Sequence, residues 1–183
     1  MTIKPLISVI IKTYNEQQGI ANTIDSIRQN LAAFPHEILV ADSLSTDETP
    51  SIALANGATV VSLVNENERC CGVGHQLGYL HAKGEFLLLM DGDMELAPGF
   101  IEAGVGFLRS HPSYAGVAGM VEMDDAVSYE FKSRKQRLHK IYLWGIVRIL
   151  VEVAFIVKVP LMRSVISLTV TYTRMKKPSW ACV

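Results

Sequence analysis

The sequence predicts an α/β domain, a mostly parallel sheet flanked by helices. Three observations carry that prediction. Short apolar, β-branched runs alternate with segments of helical period along the first two-thirds of the chain. The runs are apolar on both faces, as in the buried strands of a parallel sheet. Three of them end abruptly in polar, acid-bearing segments, Thr13-Tyr14-Asn15-Glu16, Asp42 to Asp47, and Asp91-Gly92-Asp93. In open α/β sheets, ligands collect at such carboxyl ends.

Taken in order, residues 6–11 read as a buried strand. Ile20, Ile24, Ile27, Leu31 and Phe34 then recur at intervals of four, three, four and three, the apolar face of a helix. Residues 37–41 form a second strand, and a short helix begins near Glu48 and stops at Asn56-Gly57. A third strand covers residues 58–64. A polar loop follows, and residues 72–83 are a helix closed by Gly84. Residues 86–90, Phe-Leu-Leu-Leu-Met, are the central strand. A helix over residues 98–110 and a fifth strand over 114–121 complete the pattern.

A chain of 183 residues is long enough for one domain with a real core. Apolar residues make up 49% and the net charge is -1, which argues against a charge-driven nucleic-acid binder. The three cysteines Cys70, Cys71 and Cys182 provide neither an even disulfide framework nor metal-ligand spacing. With an N-terminus that lacks the basic-then-apolar layout of a signal peptide, they lead us to expect a reducing, cytoplasmic location.

Asp91 and Asp93 repel each other unless a cation lies between them, and a divalent metal holding a diphosphate would supply that charge. Asp-Gly is also a hairpin signal, but the following Pro98-Gly99-Phe100-Ile101 has helical spacing rather than that of a partner strand. A single acid at a strand end is usually a cap or turn residue. Three acid-bearing segments on one rim of a sheet point to a site.

Four motifs in order then become specific. Ile7-Ser8-Val9-Ile10-Ile11-Lys12-Thr13-Tyr14-Asn15-Glu16, Asp42-Ser43-Leu44-Ser45-Thr46-Asp47-Glu48-Thr49, Ala82-Lys83-Gly84-Glu85-Phe86 and Asp91-Gly92-Asp93 resemble a family-2 glycosyltransferase over about residues 6–125. The resemblance implies a GT-A fold with a Rossmann-like sheet, C-terminally incomplete in this chain. It also implies inverting transfer of a sugar from a nucleotide-diphosphate donor, UDP favoured, to a hydroxyl acceptor, in polysaccharide or glycolipid synthesis. By resemblance, Thr13, Tyr14, Asn15 and Glu16 line the nucleotide pocket with Tyr14 near the base. Asp42 accepts a hydrogen bond from a base N–H, and Asp91 belongs to the same nucleotide site. Asp93, with Asp91, holds Mg²⁺ or Mn²⁺, which neutralises charge on the departing diphosphate. His75-Gln76 stands where many members carry Arg-Asn, so a contact from that position does not carry over.

Other signals have plainer readings. Gly72-Val73-Gly74-His75-Gln76-Leu77-Gly78 imitates a dinucleotide-binding turn, but residues 65–71 separate it from its strand. His75 and His81 lack a ligand partner four residues on and read as helix-surface residues. Cys70-Cys71 reads as a pair of structural or incidental thiols. Lys132-Ser133-Arg134-Lys135-Gln136-Arg137 reads as a solvated helix face, with contact to acidic lipid headgroups at the inner membrane face, or to a diphosphate, as the alternative.

The chain thus divides into a nucleotide-sugar-binding domain, residues 1–125, and a non-matching tail, residues 126–183. The resemblance calls for a Gly-Gly segment and then a Glu-Glu or Glu-Asp pair, the region that supplies the general base. Neither is present. The tail is apolar, but Arg148, Glu152 and Lys158 interrupt it and Pro160 breaks it, so no stretch approaches the ~20 uncharged residues of a spanning helix. Back-translated one base earlier, the stretch beginning at Leu150 permits Gly-Gly-Gly-Gly-Leu-Tyr-Arg. The stretch beginning at Arg174 permits Tyr-Glu-Glu-Ala-Glu-Leu-Gly-Val-Arg. Met175-Lys176 forces Glu in that frame, and Trp144-Gly145 and Trp180-Ala181 each force Gly. The expectation is a frameshift near Tyr142 or Leu143, with a genuine divergent tail as the alternative, leaving a chain that binds donor with little or no transfer. Glu122, Asp124 and Asp125 read as a solvated loop. The alternative is a non-catalytic nucleotide-sugar-binding module or an inactive fragment.

Overall fold

The structure is a computed structural model, which describes residues 6–119, 121–123, 154–158, 164–167 and 173–175. The basic run Lys132 to Arg137, the acids Asp124 and Asp125, and the apolar stretch 141–153 lie outside these residues. Among the described residues, no helix is long and apolar enough to cross a membrane.

Strands β1 (Ile7–Thr13), β2 (His36–Asp42), β3 (Thr59–Ser62) and β4 (Phe86–Asp91) alternate with helices α1 (Ile20–Asn30), α2 (Thr49–Ala55) and α3 (Cys71–His81). They pair in parallel in the order β3-β2-β1-β4. The first two strand-to-strand steps move outward from β1, and the third returns across it. This change of direction opens a crevice at the carboxyl ends of β1 and β4, where such sheets place their ligands. Register aligns the strand ends: Thr13 lies opposite Asp42, and Lys12 opposite Asp91.

The larger core lies on the face covered by α1, α2 and α4 (Phe100–Ser110). Ile20, Ile24 and Ile27 of α1 and Phe100, Ile101, Val105 and Leu108 of α4 pack there on Ile7, Val9, Ile11, Phe86, Leu88 and Met90. Helix α3 covers the other face over Ile10, Leu39 and Leu87. It sits very close to β1: a Cβ at Gly78 would lie 2.3 Å from Ile10 Cγ2, so only glycine permits this crossing without repacking.

The predicted elements are present with shifted ends. Strand β1 extends to Thr13 and β2 to Asp42, so both polar termini are anchored by the sheet. Helix α1 ends at Asn30, and Leu31 and Phe34 pack from the following turn. The single fifth strand expected over 114–121 is instead β6 (Tyr114–Ala118) and β7 (Val121–Met123), in different sheets. Asp91-Gly92-Asp93 is not a hairpin. The next strand, β5 (Met94–Glu95), leaves β4 and joins a second sheet in the order β5-β10-β7, where β10 is Thr173–Met175. In the tail, β8 (Ala154–Val157) runs antiparallel between β4 and β6, and β9 (Ser164–Ser167) is parallel to β6.

Candidate functional site

Two neighbouring groups of side chains occupy the carboxyl rim. The first is built on the ends of β1 and β2. Asp42, 2% exposed, accepts from Thr13 Oγ1 at 3.1 Å and from the Ser45 backbone N–H at 2.9 Å, and also from the Ser45 hydroxyl. A carboxylate offers about four acceptor positions, so one further N–H can still be taken. Tyr14 is half-buried beside it, with the Arg69 guanidinium 4.2 Å from its ring centroid. Arg69 Nε also donates to Ser43 O at 2.9 Å. Arg69 was not among the expected site residues. The one signal for it is a lone cation in an otherwise acidic loop containing Glu66 and Glu68.

A clasp between residues 15–17 and 45–49 fixes this group. Asn15 takes a left-handed backbone (φ 56°), donates its N–H to Ser45 Oγ at 2.9 Å, and accepts from Thr46 N–H at 2.8 Å. The N–H of Glu16 donates to Thr49 Oγ1, and that of Gln17 to Asp47 Oδ2. Asp47 also accepts from the backbone and hydroxyl of Thr49, at the start of α2. Partial burial works against the Asp47 carboxylate, but these donors outweigh it and hold its pKa below the ordinary value. Asn15 therefore serves as a bracket: it is exposed, and its side chain is used by the backbone of the opposing loop.

The second group is acidic. Asp91 ends β4 and lies 3.1 Å from Lys12 Nζ, while Asp93 is 5% exposed in the turn that follows. Glu16 faces this turn: a Cβ at Gly92 would lie 2.7 Å from Thr13 Cγ2 and 3.0 Å from Glu16 Cγ. Any side chain at Gly92 would push these residues apart. Burial first, then the negative charges of Asp93, Asp91 and Asp47, push the Glu16 carboxyl up to about 8, with Lys12 opposing. Of the four residues expected to line a nucleotide pocket, Thr13, Tyr14 and Asn15 belong with Asp42, and Glu16 belongs with Asp91 and Asp93.

His75 departs from the surface position expected of it. Its Nε2 is buried and has no hydrogen-bond partner, and the ring packs beside the Lys12–Asp91 pair. Burial, then the Lys12 ammonium, hold the imidazole below its ordinary pKa and favour its neutral form, with Asp91 opposing. His81 and Cys70 are exposed, and Cys70 is a free thiol.

Hard carboxylate oxygens, with the Glu16 carboxyl pushed up to about 8 by burial and then by its acidic neighbours, fit a divalent cation of the Mg²⁺ or Mn²⁺ kind. Among the described residues, no three His, Cys, Asp or Glu side chains form a ready-made cage. A cation here would complete its shell with diphosphate oxygens and water, as such ions commonly do.

Known proteins share this architecture. Glucosyl-3-phosphoglycerate synthase from Mycobacterium tuberculosis, crystallised with Mn²⁺, UDP-glucose and phosphoglyceric acid, superimposes with a TM-score of 0.65 at 24% identity, over 84% of this chain and 57% of that one. S. aureus TarS 1-349 in complex with UDP-GlcNAc gives a TM-score of 0.57 at 23% identity, over 66% and 35%. These likenesses establish the GT-A fold. The low-salt glycan biosynthesis hexosyltransferase Agl6 of Haloferax volcanii is 38% identical over 97 residues, 50% of this chain and 22% of its own length. Glucosyl-3-phosphoglycerate synthase of Mycolicibacterium smegmatis is 39% identical over 56 residues, 31% of this chain and 18% of its own. The chain thus spans only a minority of the length of these two curated relatives. The profile of glycosyl transferase family 2 matches residues 8–163, a span that takes in the four motifs save Ile7 at the start of the first, and the chain belongs to that family.

Proposed function

We propose that this chain binds a nucleotide-diphospho-sugar, UDP-linked, together with Mg²⁺ or Mn²⁺, as the donor half of sugar transfer to a hydroxyl acceptor. The observation that carries this is the juxtaposition of the two groups on one rim: Thr13, Tyr14 and Asp42 on one side, Glu16, Asp91 and Asp93 on the other. In this reading Tyr14 gives the base an aromatic face, and the remaining acceptor position of Asp42 takes one imide N–H. Arg69 closes that end of the pocket from the loop before α3. Asp93 holds the cation, with Asp91 oriented by Lys12 and Glu16 ionising as the positive charge arrives. The bound metal would stabilise negative charge on the departing diphosphate.

Neighbours crystallised with UDP-glucose and Mn²⁺ or with UDP-GlcNAc support the ligand class. The Gly-Gly segment and acidic pair that the family resemblance calls for do not appear in the sequence of residues 126–183, so the proposal is donor binding with little or no transfer. The test is calorimetric titration of the full chain with UDP, in Mn²⁺ and in EDTA. Mn²⁺ should tighten binding, and Asp93→Ala should abolish that gain. UDP that fails to bind the folded chain overturns the reading, and turnover at rates ordinary for a glycosyltransferase overturns the loss of catalysis.

A further inference from the structure

The apolar face of α1 accounts for its place in the core, but the helix also carries a polar row. Thr23, Ser26 and Asn30, three and four residues apart, lie along one side of it. All three grip the backbone of residues 92–96. Thr23 Oγ1, 1% exposed, donates to Gly92 O at 2.9 Å, and its approach to Gly19 O within its own helix is longer, 3.3 Å. Ser26 Oγ accepts from the Leu96 N–H at 3.0 Å while donating to Thr23 O at 2.8 Å. Asn30 Nδ2 divides its two hydrogens between Leu96 O at 2.9 Å and Ser26 O at 2.8 Å. The first turn of α1 meets the same segment: a Cβ at Gly19 would lie 3.1 Å from both Asp93 Cα and Gly92 O.

A threonine inside a helix ordinarily returns its hydrogen bond to the carbonyl four residues back. Here the shorter bond crosses to another segment, 69 residues away in sequence. The two tethered points, Gly92 and Leu96, bracket Asp93. Fixing the carbonyl of Gly92 fixes the plane of the Gly92–Asp93 peptide, and hence the starting direction of the Asp93 side chain.

We propose that Thr23, Ser26 and Asn30 are positioning residues that aim the Asp93 carboxylate at the cation and diphosphate. This rests on the proposed reading of Asp91 and Asp93 as the cation-diphosphate site. A metal site loses affinity when the groups orienting its ligands are removed, commonly by about 10-fold or more. A merely structural row would instead alter stability and leave the metal-dependent part of binding unchanged.

The experiment compares Thr23→Val, which keeps shape and drops the donor, with Thr23→Ser, which keeps the donor, using Asp93→Ala as reference. UDP is titrated into each full-length variant in Mn²⁺ and in EDTA, below its melting temperature by circular dichroism. Thr23→Val should lose about 10-fold of the Mn²⁺-supported affinity, keep the EDTA value, and be rescued by Thr23→Ser. If Thr23→Val keeps the full Mn²⁺ gain while Asp93→Ala loses it, the positioning role is refuted and the site reading stands. Loss in Thr23→Ser equal to that in Thr23→Val also refutes it. If Asp93→Ala keeps the Mn²⁺ gain, the site reading itself fails and the inference with it. Should Thr23→Val not fold, the less buried Ser26→Ala carries the same comparison.

Discussion

Replacing Glu16 by glutamine removes a carboxyl that the fold holds against its nature. In the folded chain the group rises from 4.5 to about 8, through burial and the nearby charges of Asp93, Asp91 and Asp47. Between those two values the folded chain keeps a proton that the unfolded chain has released, so stability falls as pH rises through that window. A fully buried group shifted this far would contribute about 4.8 kcal/mol at 1.36 kcal/mol per pKa unit. Glu16 is only part-buried, and solvent screening reduces the effect to about 1–2 kcal/mol. The assay is urea unfolding in EDTA from about pH 4 to about pH 9, wild type against Glu16→Gln. Toward about pH 4, below both values, the two should approach equal stability, the carboxyl being largely protonated in the folded and the unfolded chain alike. Near pH 9 the variant should be more stable by about 1–2 kcal/mol. Saturating Mn²⁺ should restore the wild type toward the variant, because a bound cation stabilises the ionised carboxylates. Parallel profiles across the whole range would refute the reasoning, since they would place Glu16 away from the other acids.

The strands and the acid-bearing rim were legible because both depend on local pattern. An apolar run that ends in Asp or Thr announces where a buried strand meets solvent, and β1, β2 and β4 end there. What remained hidden depends on where the chain returns. Thr23, Ser26 and Asn30 have the composition of a solvated helix face, and only the arrival of residues 92–96 makes them internal. Helix α3 carries three glycines at 72, 74 and 78 and little amphipathic contrast, so its sequence does not say that His75 points inward. That orientation follows from Gly78 resting on Ile10, a tertiary contact without periodicity. Arg69 reaches Tyr14 only through the path of its loop. Strands of two or three residues such as β5, β7 and β10 are too short to show any period.

Two further outcomes separate the halves of the site and the halves of the chain. Asp42→Ala removes the base acceptor, so UDP should bind at least about 10-fold more weakly with and without Mn²⁺, as the loss of a hydrogen bond to a charged group implies. Asp93→Ala should weaken only the Mn²⁺-dependent part, and equal losses in both variants under both conditions would dissolve the division into a base end and a cation end. The tail is decided by the gene itself. If the frame slipped near Tyr142 or Leu143, the nucleotides from the codon of Leu150 should spell Gly-Gly-Gly-Gly-Leu-Tyr-Arg one base earlier, and those from Arg174 should spell Tyr-Glu-Glu-Ala-Glu-Leu-Gly-Val-Arg. Met175-Lys176 already forces one of those glutamates, but most positions rest on a choice among synonymous codons, so chance agreement along both stretches is improbable. A single codon set incompatible with either stretch ends the frameshift argument, and residues 126–183 are then a genuine divergent tail whose β8, β9 and β10 belong to the two sheets. Agreement carries a consequence for the enzyme. Correcting the frame would return the acidic pair to the acceptor side, and a chain that binds UDP without transfer should gain turnover while its Mn²⁺-dependent donor affinity, set by Asp93, stays as it was.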